Sequence, residues 1–225
     1  MTSADPAGRR DGAGAGAARA GRYLDVPLWP WARPPDGPQH LPRRCPAGHQ
    51  LEPGQLQETP NQDYGVRELV CRHCETQPDG SGRWALVDPS VDAQVTEDRV
   101  QPRRLQLVVI PPTIRAGVGL IQLRWGTTIY GQVELSLCPI DRCGLLLDLH
   151  VEVRHRRRGV GRVLAHAAAA RGTGFAWSAN PPEDPGAAAF WAKIATPRAP
   201  ASPCSHQEAA GLRIEPRWPR WWEKP

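Results

Sequence analysis

The chain has 225 residues, enough for one domain or two small ones with a sizeable core. Its 25 prolines and 22 glycines assign much of it to loops and linkers, and no stretch nears the roughly 20 apolar residues of a membrane span. The 28 basic and 23 acidic residues leave a net charge of +5, which suits an anionic small molecule as well as a polyanion.

Lys193 and Lys224 are the only lysines, so the positive charge is almost all arginine. With abundant Ala, Gly and Pro, that is the bias of a high-GC bacterial coding sequence, and it weakens any step from arginine to nucleic acid. The first residues carry arginines but no apolar core of a secretory signal, so the expected location is cytoplasmic. Six cysteines in such a compartment point to metal ligation or free thiols rather than disulfides.

Residues 1–38 are expected to be a disordered N-terminal tail, Gly/Ala/Arg-rich at first. Near its end, Trp29 and Trp31 are expected to pack on a neighbouring module. Residues 39–90 read as a small zinc-ribbon-like module. Cys45 and His49, then Cys71 and Cys74, give a C-x3-H…C-x2-C ligand set that suits tetrahedral Zn2+ in a closed, structural site. His73 is the alternative fourth ligand. Short strands are expected at 68–70 and 82–87, and 89–102 reads as a polar linker.

From residue 104 the pattern changes. Strands are expected at 105–110, 119–125 and 129–137, the last two joined by a Gly126-Thr127-Thr128 turn. Alternation of Gln132, Glu134 and Ser136 with Val133, Leu135 and Leu137 implies a sheet with one buried face. A further strand is expected at 144–153, bracketed at its start by Cys138 and Cys143, which read as free thiols. A helix follows, with Val160, Val163, Leu164, Ala167 and Ala168 on one face. A strand at 175–179 and a helix at 185–194 complete the pattern. Residues 199–225 read as a Pro/Trp-rich tail, with residues 212–214 its one strand candidate.

The joint between strand and first helix carries the chemistry. Residues 149–161 place Arg154, His155, Arg156, Arg157 and Arg158 before Gly159, Val160 and Gly161. Free N–H groups at a helix N-terminus, glycines that allow close approach, and clustered positive charge together read as a phosphate cradle.

This stretch resembles the acyl-CoA signature of the GNAT N-acetyltransferases, in which Arg or Gln, two residues, Gly, one residue, and Gly or Ala follow a strand. Arg156, Gly159 and Gly161 meet it, with Leu149 and Val151 at the strand's usual apolar positions. Val153 and His155 stand where proline and tyrosine are frequent. The resemblance spans about residues 104–196, and the domain it implies covers 103–198. It implies an α/β (α+β) fold with a mixed, mainly antiparallel sheet, and acetyl-CoA as acyl donor to an amine acceptor. It further implies that the backbone from Arg157 to Arg162 holds the CoA pyrophosphate. The backbone of Val151 and Val153 would pair with the pantetheine arm, and Arg156, Arg158 and Arg162 would contact phosphates.

Asn180, Asp184 and Trp191 fall in the family's last-helix frame. Trp191 takes the place of a tyrosine that often serves as general acid, and an indole N–H cannot replace it. Only residues 112–118 stand where the family has two acceptor-side helices. The candidate bases are Glu134, His150 and Glu152, with Asp148 on the same strand face. A catalytically silent, CoA-binding or regulatory protein is the alternative, with the ribbon contacting a protein or nucleic acid. Nucleic acid is not the expected partner, no membrane is expected, and a homodimer is compatible with the sequence.

Overall fold

The computed structural model describes residues 23–31, 42–52, 54–75, 82–179, 185–194, 199–200 and 202–213. It is an α+β structure built on two mixed sheets with few helices. Among the described residues, no helix is long and apolar enough to cross a membrane.

The smaller sheet has four strands: β1 (Leu28–Pro30), β2 (Leu56–Asn61), β3 (Val66–Cys71) and β4 (Arg83–Val87), in the order β1-β4-β3-β2. β1 runs parallel to β4, with Leu28 opposite Ala85, and the other pairs are antiparallel. Residues 28–30, assigned to a tail from sequence, are thus a strand. Trp29 meets Trp84 edge to face at 6.5 Å, and Trp31 is buried in the same cluster. β2 was not anticipated; it contains Pro60, which lacks an N–H and is tolerated because the strand lies at the sheet edge.

The larger sheet has seven strands. Its centre is an antiparallel meander of β6 (Leu105–Ile110), β7 (Val118–Trp125), β8 (Thr128–Cys138) and β9 (Cys143–Val151). β5 (Val95–Thr96) lies parallel to β6 at one edge. At the other, β10 (Ala176–Ala179) lies parallel to β9, and β11 (Ala199–Pro200) parallel to β10. The stretch read as a linker is therefore docked: Gln94 Nε2 donates to the Ala167 carbonyl at 3.1 Å, and Arg171 donates to Gln94 Oε1 at 3.0 Å.

α1 (Val160–Arg171) covers one face of this sheet. Its five residues on the anticipated apolar face are all buried, against Leu107, Ile121, Leu123 and Val133. Removing side chains of the size of Val163 and Leu164 from water contributes about 1.5–3 kcal/mol each. The helix ends where the Gly172 N–H reaches the carbonyls of Ala168 and Ala169. α2 (Pro185–Trp191) and the short α3 (Ser205–Ala209) complete the elements. Of the strand candidate at 212–214, Leu212 instead follows α3 in a turn, its N–H donating to the Gln207 carbonyl at 3.0 Å.

The two sheets share a core. Along β4, alternate side chains point to opposite faces. Trp84 and Leu86 join the ribbon cluster with Trp31 and Leu69, while Ala85 and Val87 join Leu24, Leu28 and Tyr64 in the main core. β4 is consequently buried on both sides.

Candidate functional site

The ribbon gathers the ligands that its spacing announced. The ligand atoms of Cys45, His49, Cys71 and Cys74 lie within 4.8 Å of one another and could hold a metal ion. Cys45 Sγ is 3.8 Å from Cys74 Sγ and 3.4 Å from His49 Nδ1, and His49 Nδ1 is 3.1 Å from Cys74 Sγ. Tetrahedral zinc, with about 2.3 Å to sulfur and about 2.0 Å to nitrogen, would space such pairs by about 3.5–3.8 Å; the two Cys45 spacings agree, and the His49 ring stands closer to Cys74 than a bound ion would leave it. His49, rather than His73, belongs to the cluster; the two ring centres lie 5.4 Å apart, with the planes tilted by 43°.

Local backbone shapes the site. The Cys45 N–H bonds the His49 carbonyl, and the His49 N–H returns to Cys45 Sγ at 3.3 Å. That amide and the neighbouring sulfurs outweigh burial and hold the Cys45 thiol below its ordinary range. Burial, with Cys45 and Cys71 alongside, pushes Cys74 up to about 12. A cation would reverse that crowding. Gly82 lies against the sulfurs: a Cβ there would come within 2.6 Å of Cys74 Sγ.

The second region is the joint of β9 and α1. β10, described as far as Ala179, pairs with Cys143 to Leu146 of β9. β8 carries a bulge beside Glu134 and Leu135, opposite the middle of β9. The Val163 N–H to the Gly159 carbonyl (3.0 Å) is the first rung of α1, placing the amides of Val160, Gly161 and Arg162 at its open end. Arg157 and Gly159 adopt left-handed backbone, φ 63° and 84°.

Much of the arginine charge already has partners within the chain. Arg156 Nε donates to the Val151 carbonyl at 3.2 Å. Arg158 donates to the Asp25 carbonyl and the Tyr23 hydroxyl, each at 3.2 Å, and Arg162 lies 4.7 Å from the centre of the Trp29 ring. β1 crosses the loop: the Leu28 N–H donates to the Arg158 carbonyl at 2.7 Å, and an ideal Cβ on Gly159 would sit 2.3 Å from the Leu28 oxygen. Gly161 faces the Phe190 ring of α2, 3.2 Å from where its Cβ would be. The two glycines thus admit parts of this chain, a role their spacing alone did not reveal.

Val153 departs from expectation. The strand stops at Val151, and Val153 opens a 3-10 turn through His155, its carbonyl accepting the Arg156 N–H. It is 73% exposed and offers no extended backbone for an added strand. Trp191 closes α2 beside Phe190, with ring centres 4.8 Å apart. Asn180 and Asp184 lie outside the described residues.

The candidate bases share the sheet face away from α1. Glu134 pairs with Asp148, and His150 with Gln132. His150 Nε2 lies 3.8 Å from Glu152 Oε1, both side chains about half exposed. Glu134 is half-buried. Another hollow, lined by Val109, Pro112, Leu120, Leu135, Leu137 and Arg171, sits by the β6–β7 connection, away from the arginine loop.

His155 is fully buried, 4.6 Å from the Tyr130 ring and 5.7 Å from the Tyr23 ring. Neither ring nitrogen has a hydrogen-bond partner among the described residues. Burial, then Arg154, holds its pKa below the ordinary imidazole value. The unfolded chain therefore takes up this proton more readily, so stability is full at neutral pH and falls as pH drops through about 6.5. The melting midpoint should decline between pH 7.5 and 5.5, as measured by calorimetry. His155→Phe should flatten that slope, and an unchanged slope would rule His155 out as its source.

No family model, curated protein or solved structure matches the chain.

Proposed function

We propose that the chain binds acetyl-CoA at the joint of β9 and α1 and transfers the acetyl group to an amine, as a GNAT-type N-acetyltransferase with a structural Zn2+ in its ribbon. The observation that carries this reading is the joint itself, where left-handed backbone at Arg157 and Gly159 brings the open amides of Val160, Gly161 and Arg162 to the N-terminus of α1. A helix end of this kind favours the phosphates of an anionic ligand.

The donor supplies an activated thioester. The exposed end of β9 would position it, with Arg157 and the first-turn amides of α1 facing the anion. Glu134, His150 and Glu152 line the face on which an amine would lose its proton. Arg156, Arg158 and Arg162 serve first to hold the loop's own shape.

Saturating acetyl-CoA should raise the melting midpoint, and Gly161→Asp, which adds a carboxylate beside the anion, should abolish the rise. No rise in the wild type would refute the proposal. Release of free thiol from acetyl-CoA across a panel of amines should fall at least 100-fold when the essential base is replaced, within the range of general-base catalysis. A second reading, a CoA-binding protein without turnover, is favoured by Trp191 at the tyrosine position and by Phe190 packed on Gly161. It predicts the rise in melting midpoint with no thiol release from any amine.

A further inference from the structure

We propose that Cys138, Cys143, Cys204 and Asp141 form a second metal site, for Zn2+, which ties the segment carrying α3 to the end of the β8–β9 hairpin. The sequence offered only Cys138 and Cys143 here, two ligands short of a closed site. The fold supplies the rest. The ligand atoms of all four residues lie within 4.8 Å of one another.

The hairpin explains the first pair. Cys138 and Cys143 are opposite one another as the closing pair of β8 and β9. Directly opposed residues project to the same face, so both sulfurs point one way. Asp141 lies in the connecting turn. Its N–H donates to Cys138 Sγ at 3.5 Å, and its Oδ2 lies 3.7 Å from the same sulfur. Two ligands at about 2.3 and 2.1 Å from a tetrahedral zinc would stand about 3.6 Å apart, close to the observed sulfur–oxygen spacing.

This amide-to-sulfur bond repeats the ribbon's device, where the His49 N–H reaches Cys45. Such a bond favours the thiolate, the form that binds metal.

Cys204 arrives from far along the chain, and its position is braced. Gln207, fully buried, accepts the Cys204 N–H at 3.0 Å through Oε1 and donates through Nε2 to Ser136 Oγ on β8 at 3.0 Å. His206 Nδ1 is 2.8 Å from Asp141 Oδ2, the same oxygen that faces Cys138 Sγ, so the imidazole fixes the carboxylate beside the sulfurs. Cys143 Sγ lies 3.6 Å from Gln207 Oε1, a contact for the protonated thiol of the metal-free form. On binding, the three thiols release their protons to solvent as the sulfur–metal bonds form. Asp141 and His206 are about 40% exposed, which leaves an entry route for the ion.

With the ribbon, this assignment accounts for every cysteine in the chain, three in each cluster. Three thiolates and one carboxylate form a closed shell, so the expected role is structural.

The test is metal content of the full chain, purified under reducing conditions with zinc and read by elemental analysis and native mass spectrometry. The wild type should carry two zinc ions, Cys204→Ser one, and Cys74→Ser one. Cys204→Ser with the same zinc content as the wild type would overturn the proposal. So would a wild type purified without reductant whose mass shows Cys138, Cys143 or Cys204 joined in a disulfide. Should the variant fail to fold, the wild type decides: alkylation of Cys204 should be slow with zinc and accelerate at least tenfold on chelation, and equal rates would overturn the assignment. Failure of acetyl-CoA to bind would leave these readings untouched.

Discussion

Cys74→Ser should lose the ribbon's metal and lower the melting midpoint by about 8–16 °C. The estimate starts from apparent binding energies of about 10–16 kcal/mol for structural zinc in small modules. If only about 4 kcal/mol of that appears as lost stability, a shift of about 2–4 °C per kcal/mol applies for a chain of this size. Cys74 is 1% exposed, and its sulfur lies 3.8 Å from Cys45 Sγ and 3.1 Å from His49 Nδ1. No water can replace its sulfur without opening the cluster. The damage should spread, because the ribbon cluster and the main core meet through the two faces of β4. Circular dichroism melting with parallel zinc analysis checks this. A variant melting within about 1 °C of the wild type would refute a structural ion at this site.

Gly159→Ala should destabilise the protein by about 3 kcal/mol, although it adds one methyl group. A residue with a Cβ costs about 1–2 kcal/mol in the left-handed conformation that Gly159 adopts. The methyl would also be driven into the Leu28 carbonyl, which is backbone and cannot rotate aside. Displacing β1 would then expose Leu28, worth about 2 kcal/mol of burial, offset in part by relaxation of the strand. Gly161→Ala is the matched control. Its methyl would meet the Phe190 ring and the Leu149 side chain, both of which can yield, and alanine favours a helix. Urea titration should separate the two by at least about 2 kcal/mol. Equal midpoints would mean that β1 does not bear on the loop. Amide exchange at Leu28, which donates to Arg158, should quicken in Gly159→Ala only.

The parts of the fold visible in the sequence are those whose signal is local. Residues 105–110 are apolar but for Gln106, and the strand spans those same residues. The helical spacing of Val160, Val163, Leu164, Ala167 and Ala168 matches the buried face of α1. Cys71 and Cys74 sit three apart, and such a pair announces its chemistry alone. What stayed hidden depends on distant partners. β1 is only Leu28–Pro30, and it is a strand because β4 and the arginine loop receive it. β5 is shorter still and exists by pairing with Val108 and Val109.

The same reasoning applies at the two functional regions. Cys138 and Cys143 read as free thiols because no spacing rule connects them to Cys204. At the arginine loop, the residues resemble a phosphate cradle, but a sequence does not show which guanidinium groups are already engaged. Arg158 and Arg162 prove to hold the N-terminal segment through Asp25, Tyr23 and Trp29. His155, among five charged neighbours in sequence, gave no sign that its ring would be wholly buried.

The crossing of β1 over the loop has a consequence for how the molecule is made. Asp25 and Arg158 are 133 residues apart, yet they are in contact. A chain leaving the ribosome can pair its first strand with β4 early, but the contacts of that strand with the arginine loop must wait until β9 and the start of α1 have emerged. During that interval Leu24 and Leu28 have no finished core to enter. Closure over such a span is slow compared with forming a hairpin. Metal capture by the ribbon can come early in synthesis, with the seating of β1 on the arginine loop among the last steps. Cutting the chain between the sheets would yield two fragments, neither with a complete interior.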